Sequence, residues 1–340
     1  MQALQVLFTG KDQVELEQRA VPAPGPGEIQ VHSRQSLIST GTECIVLGRK
    51  YEPGTHWDHW ARSYTDGFPP GYLNAGQVIA VGEDVSGFKV GDRVACRRSH
   101  VQYFNHPAAA ALAIPDGVSY EEAAWFGLAK ITQVGVRRAA HTLGDAVVVI
   151  GLGLLGQLVT QYARLSGARE VIAIDTAPLR LEMARAHGAT HTLEMGVADA
   201  KEAVREITGG RLADVVYDIT GHPAVFSPAL GLAKNFGTLL LLGDTGTPSE
   251  QRLTVDVVTR GVRIVGAHDG HSAPTETATE YWTEANMERL FFTYVARGQM
   301  KVNDLVTHRF SPRDAPAAYH LLQTDRSNVM GVMFDWTKLD

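Results

Sequence analysis

Hydrophobic and polar residues follow two different rhythms along this chain, and the change comes near residue 128. Before it, short apolar or alternating stretches are repeatedly broken: Leu4 to Thr9, Val14 to Gln18, Glu28 to Ser33, Gly76 to Val81 and Arg93 to Ala95. The breaks carry turn chemistry. Pro22-Ala-Pro-Gly-Pro-Gly27 can continue neither a helix nor a central strand, and Gly82-Glu-Asp-Val-Ser-Gly87 and Gly91-Asp92 suit tight connections between strands. This half is predicted to be mostly β. Beyond residue 128 apolar runs alternate with helix-length stretches: Ala146 to Ile150, Glu170 to Ile174, Asp214 to Asp218, Thr238 to Gly243 and Arg263 to Ala267. Strands alternating with helices predict a parallel, doubly wound sheet covered on both faces. The repeat stops after Gly266, where a helix from Trp282 to Arg297 leads into Leu305-Val-Thr-His-Arg-Phe310 and a last strand, Val329 to Phe334. The fold class expected is therefore α/β, with a mostly-β domain over 1–127 and a doubly wound parallel domain over 128–267. A tail, 268–340, is expected to return to the first domain and to place a cleft between the two. No internal repeat or low-complexity segment interrupts the pattern.

The run Val147-Val-Val-Ile-Gly-Leu-Gly-Leu-Leu-Gly156 joins an apolar strand to a glycine turn and then opens a helix, continuing from Gln157 to Leu165. A dinucleotide pyrophosphate sits in such a turn. Gly151 permits the tight reversal, Gly153 lets the backbone approach the phosphates, and Gly156 lets the helix pack closely on the strand. The amides of Leu154 and Leu155 then face the anion. A second buried strand, Glu170-Val-Ile-Ala-Ile, ends in Asp175, 19 residues beyond Gly156, close to the spacing of about 20 that places a carboxylate on the adenosine ribose. Such a carboxylate accepts from both ribose hydroxyls and repels a 2′-phosphate, so the expected cofactor is NAD. A carboxylate turned away, with Arg180 meeting the phosphate, would reverse that preference.

Composition removes several alternatives. With 340 residues, 44% hydrophobic, 20% charged and a net charge of −6, the chain has no Lys/Arg run that would support a nucleic-acid or anionic-membrane partner. No apolar run approaches a membrane span, and no charged and apolar leader follows Met1, so the expectation is a cytoplasmic protein. The two cysteines, Cys44 and Cys96, could form at most one disulfide and are expected to be reduced and packed.

Taken together with Pro24-Gly-Pro-Gly-Glu-Ile-Gln-Val31 and the pair Val81-Gly82 and Val90-Gly-Asp-Arg-Val94, the glycine turn resembles the medium-chain dehydrogenase/reductase superfamily across essentially the whole length. Asp218, Thr220 and Gly221 resemble the end of its fourth sheet strand. Ile38-Ser-Thr-Gly-Thr-Glu43 is similar to the variant in some zinc-lacking branches, such as the bacteriochlorophyllide dehydrogenase type. The resemblance implies a GroES-like catalytic domain beside a Rossmann domain, an alcohol dehydrogenase-like activity and a homodimer or homotetramer. Edge strands after Arg263 are the expected contact surface. Thr220, Gly243 and Ala267 complete the implied cofactor-binding set.

The departures from the family pattern carry chemistry. Where zinc-dependent members hold a ligand Cys this chain has Thr40, where they hold the His of a GHE segment it has Tyr72, and the third ligand falls at Phe126. Thr, Tyr and Phe cannot supply the nitrogen, sulfur or carboxylate donors of a catalytic zinc. The four closely spaced cysteines of the family's structural zinc are also missing, so no metal is expected. A side chain must then move the hydroxyl proton or polarise the carbonyl. Thr40 and Thr42 stand for a ligand and for the relay hydroxyl, Tyr72 stands for the ligand His, and Lys130 follows the lost third ligand by four residues. Lys130 is an acid/base candidate if burial lowers its amine, and a cofactor or surface ion-pair residue otherwise.

Substrate contacts are expected from the loop His56-Trp57-Asp58-His59-Trp60, whose rings and imidazoles suit a sugar or polyol. Asp58 with the two histidines is a weak alternative metal set there. Arg97 and Arg98 could meet an anion, and His100, His268 and His271 lie on segments that approach the cleft in the family. The leading expectation is a zinc-independent, NAD-dependent dehydrogenase that oxidises a secondary alcohol of sugar, polyol or hydroxyethyl type. An NAD(P)H-dependent enone or quinone reductase is the first alternative, and a non-catalytic dinucleotide-binding protein the second.

Overall fold

The computed structural model describes residues 1–339. It divides into two compact units, one of residues 1–127 with 288–339 and one of residues 128–287. The tail thus packs with the first unit from Glu288 onward. Residues 268–287, expected with the tail, belong to the second unit.

In the second unit the apolar runs form a six-stranded parallel sheet, in the order His191–Glu194, Glu170–Asp175, Ala146–Ile150, Ala213–Asp218, Ala233–Leu241, Arg263–Gly266. The strand that comes first in sequence, Ala146–Ile150, lies in the middle and the order reverses beside it, as in dinucleotide-binding sheets. Side-chain alternation explains why no face is polar. Val147, Val149, Val171, Ala173, Val215 and Tyr217 pack into one core, and Val148, Ile150, Ile172, Ile174 and Val216 into another on the opposite face. Each fully buried Val or Ile contributes about 1.5–3 kcal/mol of transfer free energy. The fifth strand starts earlier than its apolar pattern, at Ala233, because the ladder shifts register between Ala213 and Val215, with Phe236 in the left-handed region at φ 60°.

The first unit holds a seven-stranded, largely antiparallel sheet and a separate hairpin, Gln2–Gly10 with Gln13–Ala20. Strand Glu28–Leu37 is its spine, pairing with Asn74–Val81, with Tyr103–Pro107 and, near its end, with the tail strand Gly331–Asp335. The spine is buried along most of its length, which its apolar positions and the internal hydrogen bonds of its Ser and Gln side chains allow. Two helices absent from the sequence reading, Thr40–Leu47 and His56–Arg62, follow it. The second starts at Thr55, whose side chain accepts from the Asp58 amide, and is closed by an Asp58–Arg62 ion pair one turn apart. Among the described residues, no helix is long and apolar enough to cross a membrane.

Candidate active site

In the second unit the glycine turn is built from backbone. Gly151 sits at φ 87°, a conformation that other residues rarely adopt, and a Cβ there would lie 2.7 Å from Thr220 Cγ2. Gly156 is more constrained still, since a Cβ would stand 2.1 Å from the Gly151 carbonyl oxygen. Gly153, by contrast, faces open space within 4 Å and stands at the N-cap of helix Leu154–Leu165, with no side chain capping that end. An uncapped helix N-terminus behind an open glycine is a cradle for an anionic phosphate. Leu154 is buried and Leu155 packs partly against the core, so what they offer a ligand is their amides.

The loops at the carboxyl ends of the neighbouring strands converge on the same place. Gly243 would set a Cβ 2.4 Å from the Gly221 nitrogen, and the Asp218 carboxylate accepts from the Thr220 amide at 3.0 Å and its hydroxyl at 2.7 Å. Burial raises the Asp218 pKa, while the Thr220 bonds oppose that rise. Asp218 thus holds the Thr220 loop, a role the sequence reading did not assign. Ala267 donates its amide to Leu241 at the last strand's end.

Asp175 closes the turn from the next strand. Its carboxylate accepts from the Leu152 amide at 2.7 Å and the Ala177 amide at 2.9 Å, with an Arg180 guanidinium nitrogen 3.7 Å away. A carboxylate offers about four acceptor positions, so two bonds to the turn leave capacity for ribose hydroxyls. Lys130, also in this unit, is 1% exposed. Its ammonium donates to the Asp269 carbonyl and to the Asp269 carboxylate, the latter at 2.8 Å, with Glu284 at 3.8 Å. Three oxygens therefore surround it, and it ties the helix Phe126–Ala139 to the stretch leading to residue 284. His268 and His271 are exposed on that stretch and bond each other, the His268 amide to the His271 ring at 3.3 Å.

The first unit carries a polar cluster made of side chains. Buried Glu43 is its centre, accepting from the Ser39 amide at 2.7 Å, from the Tyr319 hydroxyl and from His100 Nε2 at 3.1 Å. His100 Nδ1 meets Ser36 Oγ at 2.8 Å, and Ser36 Oγ accepts from Trp336 Nε1 at 2.9 Å. An indole only donates, so Ser36 Oγ accepts from Trp336, and the carboxylate of Glu43 accepts from His100 Nε2–H; in the Ser36–His100 Nδ1 bond either atom can donate. Burial and the neighbouring Glu43 push the Tyr319 hydroxyl well above its usual pKa, so it stays a donor. Gly71, at φ 88°, makes room for this histidine, because a Cβ there would lie 2.6 Å from His100 Nε2.

The cluster fixes Ser39, and Ser39 Oγ lies 2.8 Å from the half-buried Tyr72 hydroxyl. Thr40 is buried beside it and held by Arg326, whose guanidinium donates to the Thr40 carbonyl at 3.0 Å and to Oγ1 at 3.3 Å. Thr42 is half-buried further along the same helix. The structure thus brings Thr40 and Tyr72 to one cluster and adds Ser39, Glu43, Tyr319 and Arg326, which sequence reasoning missed. Only the Ser39-to-Glu43 spacing is local, and the remaining partners come from distant segments.

Several expected contacts fall elsewhere. The segment His56 to Trp60 is part of a helix and not a loop, and Trp57 is buried in the core at 5% exposure, so its ring is unavailable to a substrate. Asp58 accepts from the Gly54 amide at 2.9 Å and from Arg62 at 2.7 Å, and among the described residues its ligand atoms do not gather within 4.8 Å with those of the exposed His56 and His59. His100 has no exposed surface and supports the cluster from behind. Both cysteines are free, and burial raises their thiol pKa values.

Comparison with known proteins places the chain. Residues 50–134 match the alcohol dehydrogenase GroES-like domain family, and residues 155–285 match the zinc-binding dehydrogenase family. An L-threonine 3-dehydrogenase of Symbiobacterium thermophilum is 30% identical over 96% of this chain and 96% of its own length. A sorbitol dehydrogenase of Bacillus subtilis is 33% identical over 55% of this chain and 61% of that protein. The 2R,3R-butanediol dehydrogenase structure from Bacillus subtilis superposes with a TM-score of 0.78 at 18% identity, covering 98% and 99% of the two chains. The chain belongs to the medium-chain dehydrogenase/reductase superfamily and is an oxidoreductase of the alcohol dehydrogenase-like kind.

Proposed function

We propose that this protein is a zinc-independent, NAD-dependent dehydrogenase that oxidises a secondary alcohol in a polyol, sugar or hydroxyethyl substrate. The observation that carries the reading is the donor set of the first unit. At the three positions where zinc-dependent relatives keep ligands, Thr40 Oγ1 is taken by Arg326, the Tyr72 hydroxyl is paired with Ser39, and Phe126 has no donor. These groups do not fit a catalytic zinc. Names of relatives support the substrate class, since they include sorbitol, L-threonine and butanediol dehydrogenases.

The dinucleotide fits the cradle of Gly151, Gly153 and Gly156, with Asp175 for the ribose and Thr220, Gly243 and Ala267 around it. When bound it supplies a hydride acceptor. The chain's own residues do the rest. Tyr72 takes the hydroxyl proton as its own passes to solvent water, Ser39 holds the Tyr72 hydroxyl in place, Thr40 and Thr42 line the same helix start, and Glu43 keeps Ser39 in position. Lys130 serves by anchoring the stretch that contains Asp269 and Glu284. The enzyme works as a homodimer or homotetramer, supported by the edge strand Arg263–Gly266 with exposed Ile264 and, nearby, Val258. Two free thiols suit a reducing compartment such as the cytoplasm.

Initial rates with NAD and NADP over a panel of polyols and secondary alcohols, run beside metal analysis, test the reading. NAD-linked turnover that survives chelation with well under one zinc per chain is expected. Stoichiometric zinc whose removal abolishes turnover would refute the zinc-independent mechanism. One observation favours the reductase alternative: Arg180 stands beside an Asp175 that is already bonded twice to the turn. A structure from Sinorhizobium meliloti 1021 with the same fold is bound to NADP, and one from E. coli is complexed with NADH. NADPH-linked reduction of an enone, with no alcohol oxidised, would select that alternative.

A further inference from the structure

We infer that the guanidinium of Arg97 is the electrophile of this site, the fixed cation that receives the reacting oxygen of the substrate. The inference rests on the dehydrogenase reading above. Arg97 follows strand Arg93–Cys96, and its Cζ lies 5.6 Å from the ring centre of Tyr72 and 5.5 Å from that of Phe126. Two aromatic faces within about 6 Å attract a planar cation and limit its rotation. The carboxylate of Glu288, itself 6% exposed, stands 3.7 Å from a terminal guanidinium nitrogen and steadies it from another side. Gly127 completes the seat, because a Cβ there would lie 3.0 Å from Arg97 Cζ. The Arg97 side chain is walled on these sides and retains 23% of its surface.

The two rings that bracket Arg97 belong to two of the three residues standing where zinc-dependent relatives keep ligands. A permanent positive charge therefore occupies the neighbourhood those relatives give to a metal, and it needs no deprotonated ligands to stay there. In the oxidation, a secondary alcohol and NAD+ give a ketone, NADH and a proton. With a bound dinucleotide as hydride acceptor, the substrate's C–H electron pair would leave to it as the C=O bond forms, and the O–H proton would pass to the half-buried Tyr72 hydroxyl, whose own proton goes to solvent water while Ser39 holds that hydroxyl in place. Negative charge on the oxygen while both bonds change is what a preorganised guanidinium stabilises. The same contact polarises the carbonyl in the reverse direction.

Two measurements on the full-length protein test this. The first titrates the protein–NADH complex with isobutyramide, a neutral carbonyl mimic, and with isobutyrate, its anionic counterpart, following nicotinamide fluorescence. Arg97→Met is expected to weaken the amide by about 30-fold and Arg97→Lys by about tenfold, as for loss of a charge-assisted hydrogen bond. Unchanged amide binding in Arg97→Met, or no amide binding by the wild type, would overturn the inference. So would loss of isobutyrate binding alone, which would make Arg97 a reader of an anionic substituent. The second measures steady-state rates on an alcohol the wild type oxidises: kcat of Arg97→Met should fall about 100-fold or more with KM little changed. A raised KM at constant kcat counts against it. Wild-type failure to oxidise any alcohol would sink the dehydrogenase reading, while the amide titration still decides whether Arg97 holds a carbonyl oxygen. Arg97→Lys keeps the charge, so it separates lost chemistry from lost folding if Arg97→Met is unstable.

Discussion

The glycine turn of the second unit and the polar cluster of the first are built on opposite principles. The turn spans six residues, is made of backbone, and is defined by side chains that are missing: a Cβ at Gly156 would reach the Gly151 oxygen at 2.1 Å. The cluster is made of side chains drawn from along the whole unit, with Glu43 bonded to His100, 57 residues away, and to Tyr319, 276 away. A local backbone device tolerates change around it and none within it. A dispersed side-chain device distributes its dependence over many segments, each replaceable at moderate loss.

The contrast breaks most sharply at Gly156. Gly156→Val puts atoms where the turn's own backbone runs, and about 3 kcal/mol of stability together with all measurable NADH binding should be lost, read by thermal unfolding and fluorescence titration. A variant that still binds NADH normally would mean the turn adapts. Glu43→Gln comes next. Replacing a buried carboxylate that accepts three bonds with an amide that must also donate should cost about 2 kcal/mol by chemical denaturation, yet leave NADH affinity within about twofold. Equal loss of both would mean that the two devices are not separable.

Asp175→Ala sharpens the comparison from the cofactor side. Removing the carboxylate beside Arg180 should improve NADPH relative to NADH by about tenfold in dissociation constants, and an unchanged ratio would show that the preference lies elsewhere. The smallest effect concerns pH. Burial lowers the pKa of His106 in the first unit and His141 in the second below the usual 6.5. The unfolded chain then binds protons that the folded protein refuses, so stability is complete above pH 6.5. It declines as pH falls through 6.5 toward the folded values. Replacing either histidine with Asn should flatten that decline in urea melts between pH 7 and 5, and a decline that steepens would contradict the direction of the shifts.

Legibility in the sequence follows the same division. Strand Ala146–Ile150, the turn and helix Leu154–Leu165 announce themselves, because an apolar run, three glycines and a carboxylate at fixed spacing are local signals. The early part of Ala233–Leu241 escapes, since a left-handed Phe236 and a register shift interrupt its apolar pattern. Helix Thr40–Leu47 escapes too: it opens on Thr-Gly-Thr, and its cap Ser39 makes no side-chain bond to the helix. Thr40 and Tyr72 can be found only as replacements in a family pattern. Glu43 carries only its spacing from Ser39, and Tyr319 and Arg326 carry no local signal at all, because what distinguishes them is a tertiary partner. Arg97 is visible as a charge, but its bracketing by Tyr72 and Phe126 is not.

Trp336 donates to Ser36 across 300 residues of sequence, and Tyr319 reaches Glu43 across 276. The unit that carries the polar cluster is therefore discontinuous in the gene. Recombination that exchanges residues 1–127 between relatives as one block would import Glu43 without its tyrosine donor and Ser36 without its indole. A working chimera has to inherit two separate stretches of coding sequence, which ties the diversification of this site to the coinheritance of both stretches.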